Sequence, residues 1–263
     1  MPTLPHYRVF AIKYAERIGR RAEVFLGGDP HDAPMAMDYF IWAVVDPAGE
    51  RAWAVDTGFS AADAAKRQRT YLRGAAEGLA LIGLNAAALR DVVITHLHYD
   101  HAGGFADFPA ARFHLQDDEM AFATGRCMTE PAIAHAFEAD HVAAMVHRVF
   151  ERRVAFHDGD AELAPGLTIH RVGGHTKGLQ IVRVHTENGW MVLASDAAHY
   201  YENLTDRRPF WIIYNVEAYL AALDTALALA SAPDMVIPGH DPLVFERFPP
   251  ATDALKGVVH RLA

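Results

Sequence analysis

The feature that most constrains this chain is the run Val92-Val93-Ile94-Thr95-His96-Leu97-His98-Tyr99-Asp100-His101-Ala102-Gly103-Gly104. It starts as a continuous apolar stretch, the pattern of a strand covered on both faces, and then sets out four potential metal donors within six residues. In an extended segment side chains alternate, so His96 and His98 point to the same side and one ion can take both. Asp100 and His101 fall where the chain must turn. The two glycines that follow permit a tight exit into a helix, which lets Asp100 and His101 aim at a second ion close to the first. The spacing points to two adjacent metals.

The composition narrows the setting. Of 263 residues 51% are hydrophobic and 22% charged, which excludes a disordered or collagen-like chain. A formal charge of −9 disfavours an extended grip on nucleic acid. The single cysteine, Cys127, can build neither an internal disulfide nor a thiolate-rich centre, which fits a reducing cytoplasm. The N-terminus shows no export signal, and no stretch approaches the length of a membrane span. The chain does carry 16 histidines, and neutral imidazole is the commonest metal ligand among side chains.

Apolar runs at 40–46, 52–56, 92–95 and 112–116 form one series of expected strands, and those at 167–172, 179–186, 190–195 and 235–238 a second. Glu187-Asn188-Gly189 reads as a hairpin turn within it. Helical patterns lie at 61–82, with Ser60 as cap, and at 215–232. A helical insertion is expected at about 117–153, with Pro131 near the start of its second helix. No linker or repeat divides the chain, so 1–263 reads as a single domain of two helix-flanked sheets.

Three further donors each follow an apolar strand, where open α/β sheets hold their sites: His175, Asp196 and His240. Taken singly, each is equally well a loop residue or a helix cap. Together with His96, His98, Asp100 and His101 they make a set whose order and motif resemble the metallo-β-lactamase superfamily. The resemblance runs from Val55-Asp56-Thr57-Gly58 to Ile237-Pro238-Gly239-His240-Asp241. It implies an αββα sandwich, with His96, His98 and His175 on one metal, Asp100, His101 and His240 on the other, and Asp196 bridging. Asp56 then orients a ligand histidine, although a strand-end turn residue accounts for it too. Nitrogen and carboxylate donors suit two Zn²⁺ ions, while Fe, Mn or Co fit the same set.

Two such ions sharing a water hold hydroxide ready near neutral pH, which is hydrolase chemistry. Within the superfamily the motif run, the Gly174-His175-Thr176-x-Gly178 turn and Ser195-Asp196-Ala197-Ala198 resemble the quorum-quenching N-acyl-homoserine lactone lactonases. That implies opening of a lactone or related ester, with Asp100 as ligand and proton shuttle. The chain departs from those lactonases in one place. Where they carry a tyrosine three residues after the bridging aspartate, this chain has His199, followed by Tyr200 and Tyr201. Either His199 takes the donor role, or a neighbouring phenol such as Tyr200 does, or the segment is loop packing. A glyoxalase-II-like thioesterase, a hydrolase of another cyclic ester or amide, a mononuclear-iron sulfur dioxygenase and an inert metal-binding protein are the alternatives. Phe122, Met128, Ile133, Phe137 and Met145 offer an acyl pocket or ordinary core. His135, His141 and His147 read as solvated. Residues 20–28 and 34–40 read as an arm that shapes the pocket or as a homodimer contact.

Overall fold

Residues 8–45 form a long antiparallel pair with its connecting turn, seen in a computed structural model that describes residues 3–263. Strands β1 (Arg8–Arg20) and β2 (Pro34–Val45) pair from Arg8 opposite Val45 to Arg20 opposite Pro34, with one bulge between Lys13 and Ala15. β3 (Ala52–Val55) adds antiparallel to β2. Helix α1 (Ala61–Arg67), the two-residue strand β4 (Thr70–Tyr71) and helix α2 (Ala75–Ala80) lead to β5 (Asp91–Val93) and β6 (Arg112–Gln116). Helices α3 (Asp117–Ala123), α4 (Pro131–Ala134) and α5 (Ala139–Phe150) then cross to β7 (Val154–His157), and β3, β5, β6 and β7 run parallel.

The second sheet is a meander of β8 (Ala161–Ala164), β9 (Leu167–Arg171), β10 (Gln180–Thr186) and β11 (Gly189–Ser195). Helices α6 (Tyr201–Thr205) and α7 (Val216–Leu229) carry the chain to β12 (Val236–Pro238), parallel to β11. After α8 (Leu243–Arg247), β13 (Val259–Arg261) returns to pair with β1. The sheet orders are β13-β1-β2-β3-β5-β6-β7, with β4 on β1, and β12-β11-β10-β9-β8. These are the two mixed, helix-flanked sheets of the expected α/β sandwich.

One hydrophobic cluster runs through both sheets, with Trp42, Trp53 and Phe113 fully buried. Burying each such ring stabilises the fold by about 1.5–3 kcal/mol. Two buried amides join the sheets: Gln180 Nε2 donates to the Ile94 and His114 carbonyls, and Gln116 Nε2 donates to Gln180 Oε1.

The second series of strands and the Glu187-Asn188 hairpin match expectation, as do the Ser60 cap of α1 and the helix expected at 215–232, which Asn215 caps. Three details differ. The helix expected over 61–82 is two helices, because Gln68 adopts a left-handed φ of 55° and Thr70-Tyr71 pairs instead with Ala15 and Glu16 of β1. The second helix of the insertion breaks over residues 135–138, where the Ala136 carbonyl accepts the Tyr99 N–H at 2.9 Å. The arm is the far end of the β1–β2 pair, packed on the chain's own 202–211 segment through Arg21 with Glu202, Arg208 with Asp29, and Leu26 N–H to the Pro209 carbonyl. No helix among the described residues is long and apolar enough to cross a membrane.

Candidate metal centre

Strand direction gathers the donors. β3 and β5 are parallel, so Asp56 and the His96–His101 turn leave the first sheet at the same edge. β11 and β12 are likewise parallel, so Asp196 and His240 leave the second sheet together. Because β10 runs antiparallel to β11, the β9–β10 loop bearing His175 comes to that end as well.

His96, His98, His175 and Asp196 form one buried group, Asp100, His101 and His240 a second, and Asp196, His199 and His240 a third. The donor atoms of each group all lie within 4.8 Å of one another. Asp196 stands between them. Its Oδ2 is 3.1 Å from His175 Nε2 and 3.8 Å from His96 Nε2, while its Oδ1 is 3.1 Å from His240 Nε2 and 3.3 Å from His101 Nε2. Asp100 Oδ2 lies 3.7 Å from His101 Nε2 and 3.8 Å from His240 Nε2.

The outward nitrogens are engaged. His175 Nδ1 donates to the Ile212 carbonyl at 2.8 Å and His240 Nδ1 to the Asp38 carbonyl at 2.9 Å. His101 Nδ1 meets Asp56 Oδ2 at 2.7 Å, and His96 Nδ1 meets Thr95 Oγ1 at 3.1 Å. With these outward nitrogens held, the Nε2 atoms of the four rings turn inward, the arrangement metal-binding histidines require. The Nε2 atoms of His96 and His101 are buried without a hydrogen-bond partner among the described residues. Orphaned buried nitrogens are costly, and convergent ones fit a cation. The donor set therefore fits two divalent ions.

Electrostatics agree with that fit. Burial, then the neighbouring imidazoles, hold His96 and His98 well below the usual histidine range, so they stay neutral. Burial pushes Asp196 upward, but His199, His101, His240 and His175 outweigh it and keep the carboxylate ionised. His101 is raised against its burial by Asp196, Asp56 and Asp100.

Two acidic residues hold the loops. Asp56 is wholly buried at a left-handed φ of 65°, strain of about 1–3 kcal/mol, and accepts from Thr95 N–H, Thr95 Oγ1 and His101. Glu119 of α3, also wholly buried, accepts from Leu97 N–H, Gly178 N–H and Thr176 Oγ1, tying the His96–His101 turn to the His175 loop. Only glycine fits at 178, since a Cβ there would sit 2.1 Å from Glu119 N. Sequence reasoning missed Glu119, because Asp117-Asp118-Glu119 reads as a solvated helix start.

Above the donors opens a cleft of about 510 Å³, counting its mouth, lined by His98, Asp100, His175, Asp196, His199 and His240. His199 is buried, stacks on Phe210 at 3.5 Å between centroids, and places Nε2 2.9 Å from Asp196 Oδ2. Burial, opposed by Asp196, lowers it to about 3. Tyr200 is not among the lining residues. Its hydroxyl donates to the Ala36 carbonyl at 3.2 Å, and Tyr201 lies under Arg247. The lining also includes Tyr39, from the 34–40 stretch expected to shape the pocket, Tyr99 of the motif run, and Arg17, Arg67 and Arg69, which no local sequence signal had marked.

The insertion divides. Phe122 and Ile133 border an adjoining space of about 260 Å³ beside His98 and His175, and Phe137 packs edge-on against His98. Met128 faces a separate surface groove and Met145 is wholly buried, so these two are not beside the donors. Of the histidines expected in solvent, His135 and His147 are exposed. His135 stacks on Trp211 at the cleft, and His141 is partly buried, 3.4 Å from Asp63.

Comparison with known proteins bears on this site. An N-acyl homoserine lactonase of Bacillus thuringiensis is 28% identical over 169 residues, 62% of this chain and 57% of its own length. A probable metallo-hydrolase of Mycobacterium tuberculosis is 25% identical over 186 residues, 58% of this chain and 55% of its own. The matched part of this chain thus spans little more than half of these relatives. Among solved structures, a quorum-quenching N-acyl homoserine lactone lactonase superposes with a TM-score of 0.75 at 20% identity, covering 92% of this chain and 95% of that one. A dizinc quorum-quenching lactonase, AidC, superposes with a TM-score of 0.70 at 18% identity, covering 92% and 90%. The family model of the metallo-beta-lactamase superfamily matches residues 41–240, from inside β2 to the last donor histidine, and the chain belongs to that superfamily.

Proposed function

We propose that this chain is a metal-dependent hydrolase that opens a lactone ring. The observation that carries the reading is a buried cage of two adjacent donor groups, with Asp196 between them, at the floor of an open cleft. Its similarity to a B. thuringiensis N-acyl homoserine lactonase supports the lactone as substrate class. His96, His98 and His175 would hold one divalent ion and Asp100, His101 and His240 the other, with Asp196 reaching both; zinc is the ion the donors suit first. Bound there, two divalent ions supply Lewis acidity and a water acidic enough to act as nucleophile near neutral pH.

The chain's own groups do the rest. Asp100 is held by its backbone, whose carbonyl accepts the Tyr14 hydroxyl at 2.6 Å, while its carboxylate borders the cleft. It is placed to take a proton and return it to the leaving oxygen. His199 fixes Asp196 by a hydrogen bond and faces the scissile group. Tyr200 acts one step back, its hydroxyl tying the His199 segment to β2. Phe122, Ile133 and Ile212 receive the apolar part of the substrate.

The test is a panel of acyl-homoserine lactones, simple γ- and δ-lactones and thioesters followed by pH-stat, with metal content measured in parallel. Acid release from lactones with near two ions per chain is expected. Turnover of thioesters alone would move the assignment to a glyoxalase-II-like enzyme, and one iron per chain to a dioxygenase.

A further inference from the structure

We propose that the cleft selects a substrate carrying a negative charge of its own, a carboxylate set away from the bond that is cut, and that Arg17 and Arg69 bind it. The inference rests on the hydrolase reading above and narrows its substrate class.

Three arginines line the cleft: Arg17, Arg67 and Arg69. Arg67 is satisfied within the protein, since it pairs with Glu138 at 2.7 Å and lies over the Tyr99 ring. The other two are not. The Arg17 side chain makes no hydrogen bond or ion pair among the described residues, and its Nε is buried without a partner. Arg69 donates only to neutral acceptors, the Tyr99 hydroxyl at 3.2 Å and the Arg67 carbonyl at 2.6 Å.

Nearby carboxylates are already committed. Glu16, beside Arg17 on β1, and Asp38 on β2 both pair with Lys13, at 2.6 and 2.8 Å. Asp100 and Asp196 belong to the donor cage. Two half-buried guanidinium groups thus line one cleft without an ion pair of their own among the described residues, in a chain whose formal charge is −9. Removing a cation from water without pairing it is costly, and a planar guanidinium fork matches a carboxylate with two hydrogen bonds. A ligand carboxylate supplies what the fold withholds. The Arg69–Tyr99 hydrogen bond and the Tyr99–Tyr39 contact at 3.4 Å hold one fork at the rim while the donor cage takes the carbonyl.

Calorimetry on the zinc-loaded protein tests the site without turnover. Glutarate, with two carboxylates, should bind about 10- to 100-fold more tightly than its monomethyl ester, the range of a charge-assisted hydrogen bond. In the double variant R17M/R69M the ratio should fall toward one, and in R17K/R69K part of it should remain. Equal binding by the wild-type protein overturns the proposal, as does a preference that survives R17M/R69M. A matched turnover pair, a γ-lactone bearing a carboxylate and its methyl ester, separates the two readings. Hydrolysis of both at equal kcat/KM sinks the anion site and leaves the lactonase standing. Glutarate selectivity without hydrolysis of any lactone does the reverse.

Discussion

The donor cage and the cleft rim above it are built in opposite ways. In the cage, every side chain leaves a strand at one edge of the sandwich and most rings are pinned from outside, His101 by Asp56, His175 by Ile212 and His240 by Asp38. At the rim, the lining comes from β1, β2, the exit of α1, the break between α4 and α5, and the loop before α7, and some of its charges have no ion-pair partner among the described residues. A site that must hold ions is over-determined by the protein. One that must hold a ligand leaves bonds for the ligand to make.

Breaking the cage should give the largest effects. Asp100→Ala or His101→Ala removes a donor of the second group, and loss of several kcal/mol of transition-state stabilisation should lower kcat/KM roughly 10³-fold or more. Metal analysis should find one ion lost while circular dichroism is retained; full activity would remove the two-ion reading. His199→Phe keeps the stacking on Phe210 but deletes the hydrogen bond to Asp196, and turnover should drop about 10²-fold. No change would return His199 to packing.

Effects should shrink as the substitutions move outward. Asp56→Asn leaves the His101 ring less firmly oriented, so metal affinity in a chelator titration should weaken about 10- to 100-fold. Glu119→Ala strands the Leu97 and Gly178 N–H groups in a buried place, and urea unfolding should show a loss of about 2–4 kcal/mol. Stability within ~0.5 kcal/mol of wild type would mean that the brace between the two donor loops contributes little. Tyr200→Phe should be the mildest. It deletes only the hydroxyl bond to Ala36, so kcat should change by less than about threefold, and a drop like that of His199→Phe would bring the phenol back into the chemistry.

These two regions also differ in how far they can be read from residue order. His96, His98, Asp100 and His101 lie within six residues, so spacing marked them, while His175, Asp196 and His240 each follow a recognisable strand and were joined to that set by the resemblance to the superfamily. Glu119 carried no such mark. Its place is decided by the approach of Gly178, which lies far away in sequence. The helix expected over 61–82 failed for the same reason, because pairing with β1 outweighed local helical preference at Thr70-Tyr71. The insertion looked like a continuous second helix until the Tyr99 N–H required the Ala136 carbonyl.

By itself the sequence marked the candidate donors at strand ends, two helix-flanked sheets and the chemistry such donors can support, because these depend on side-chain alternation and on residue type, and its resemblance to the superfamily joined the donors into one set. Only the tertiary structure decided which arginines stand unpaired, which of His199 and Tyr200 faces the cleft, and which carboxylate locks the loops. Those outcomes depend on contacts between segments far apart in the chain, where burial and the presence or absence of a partner set the energy of each charge.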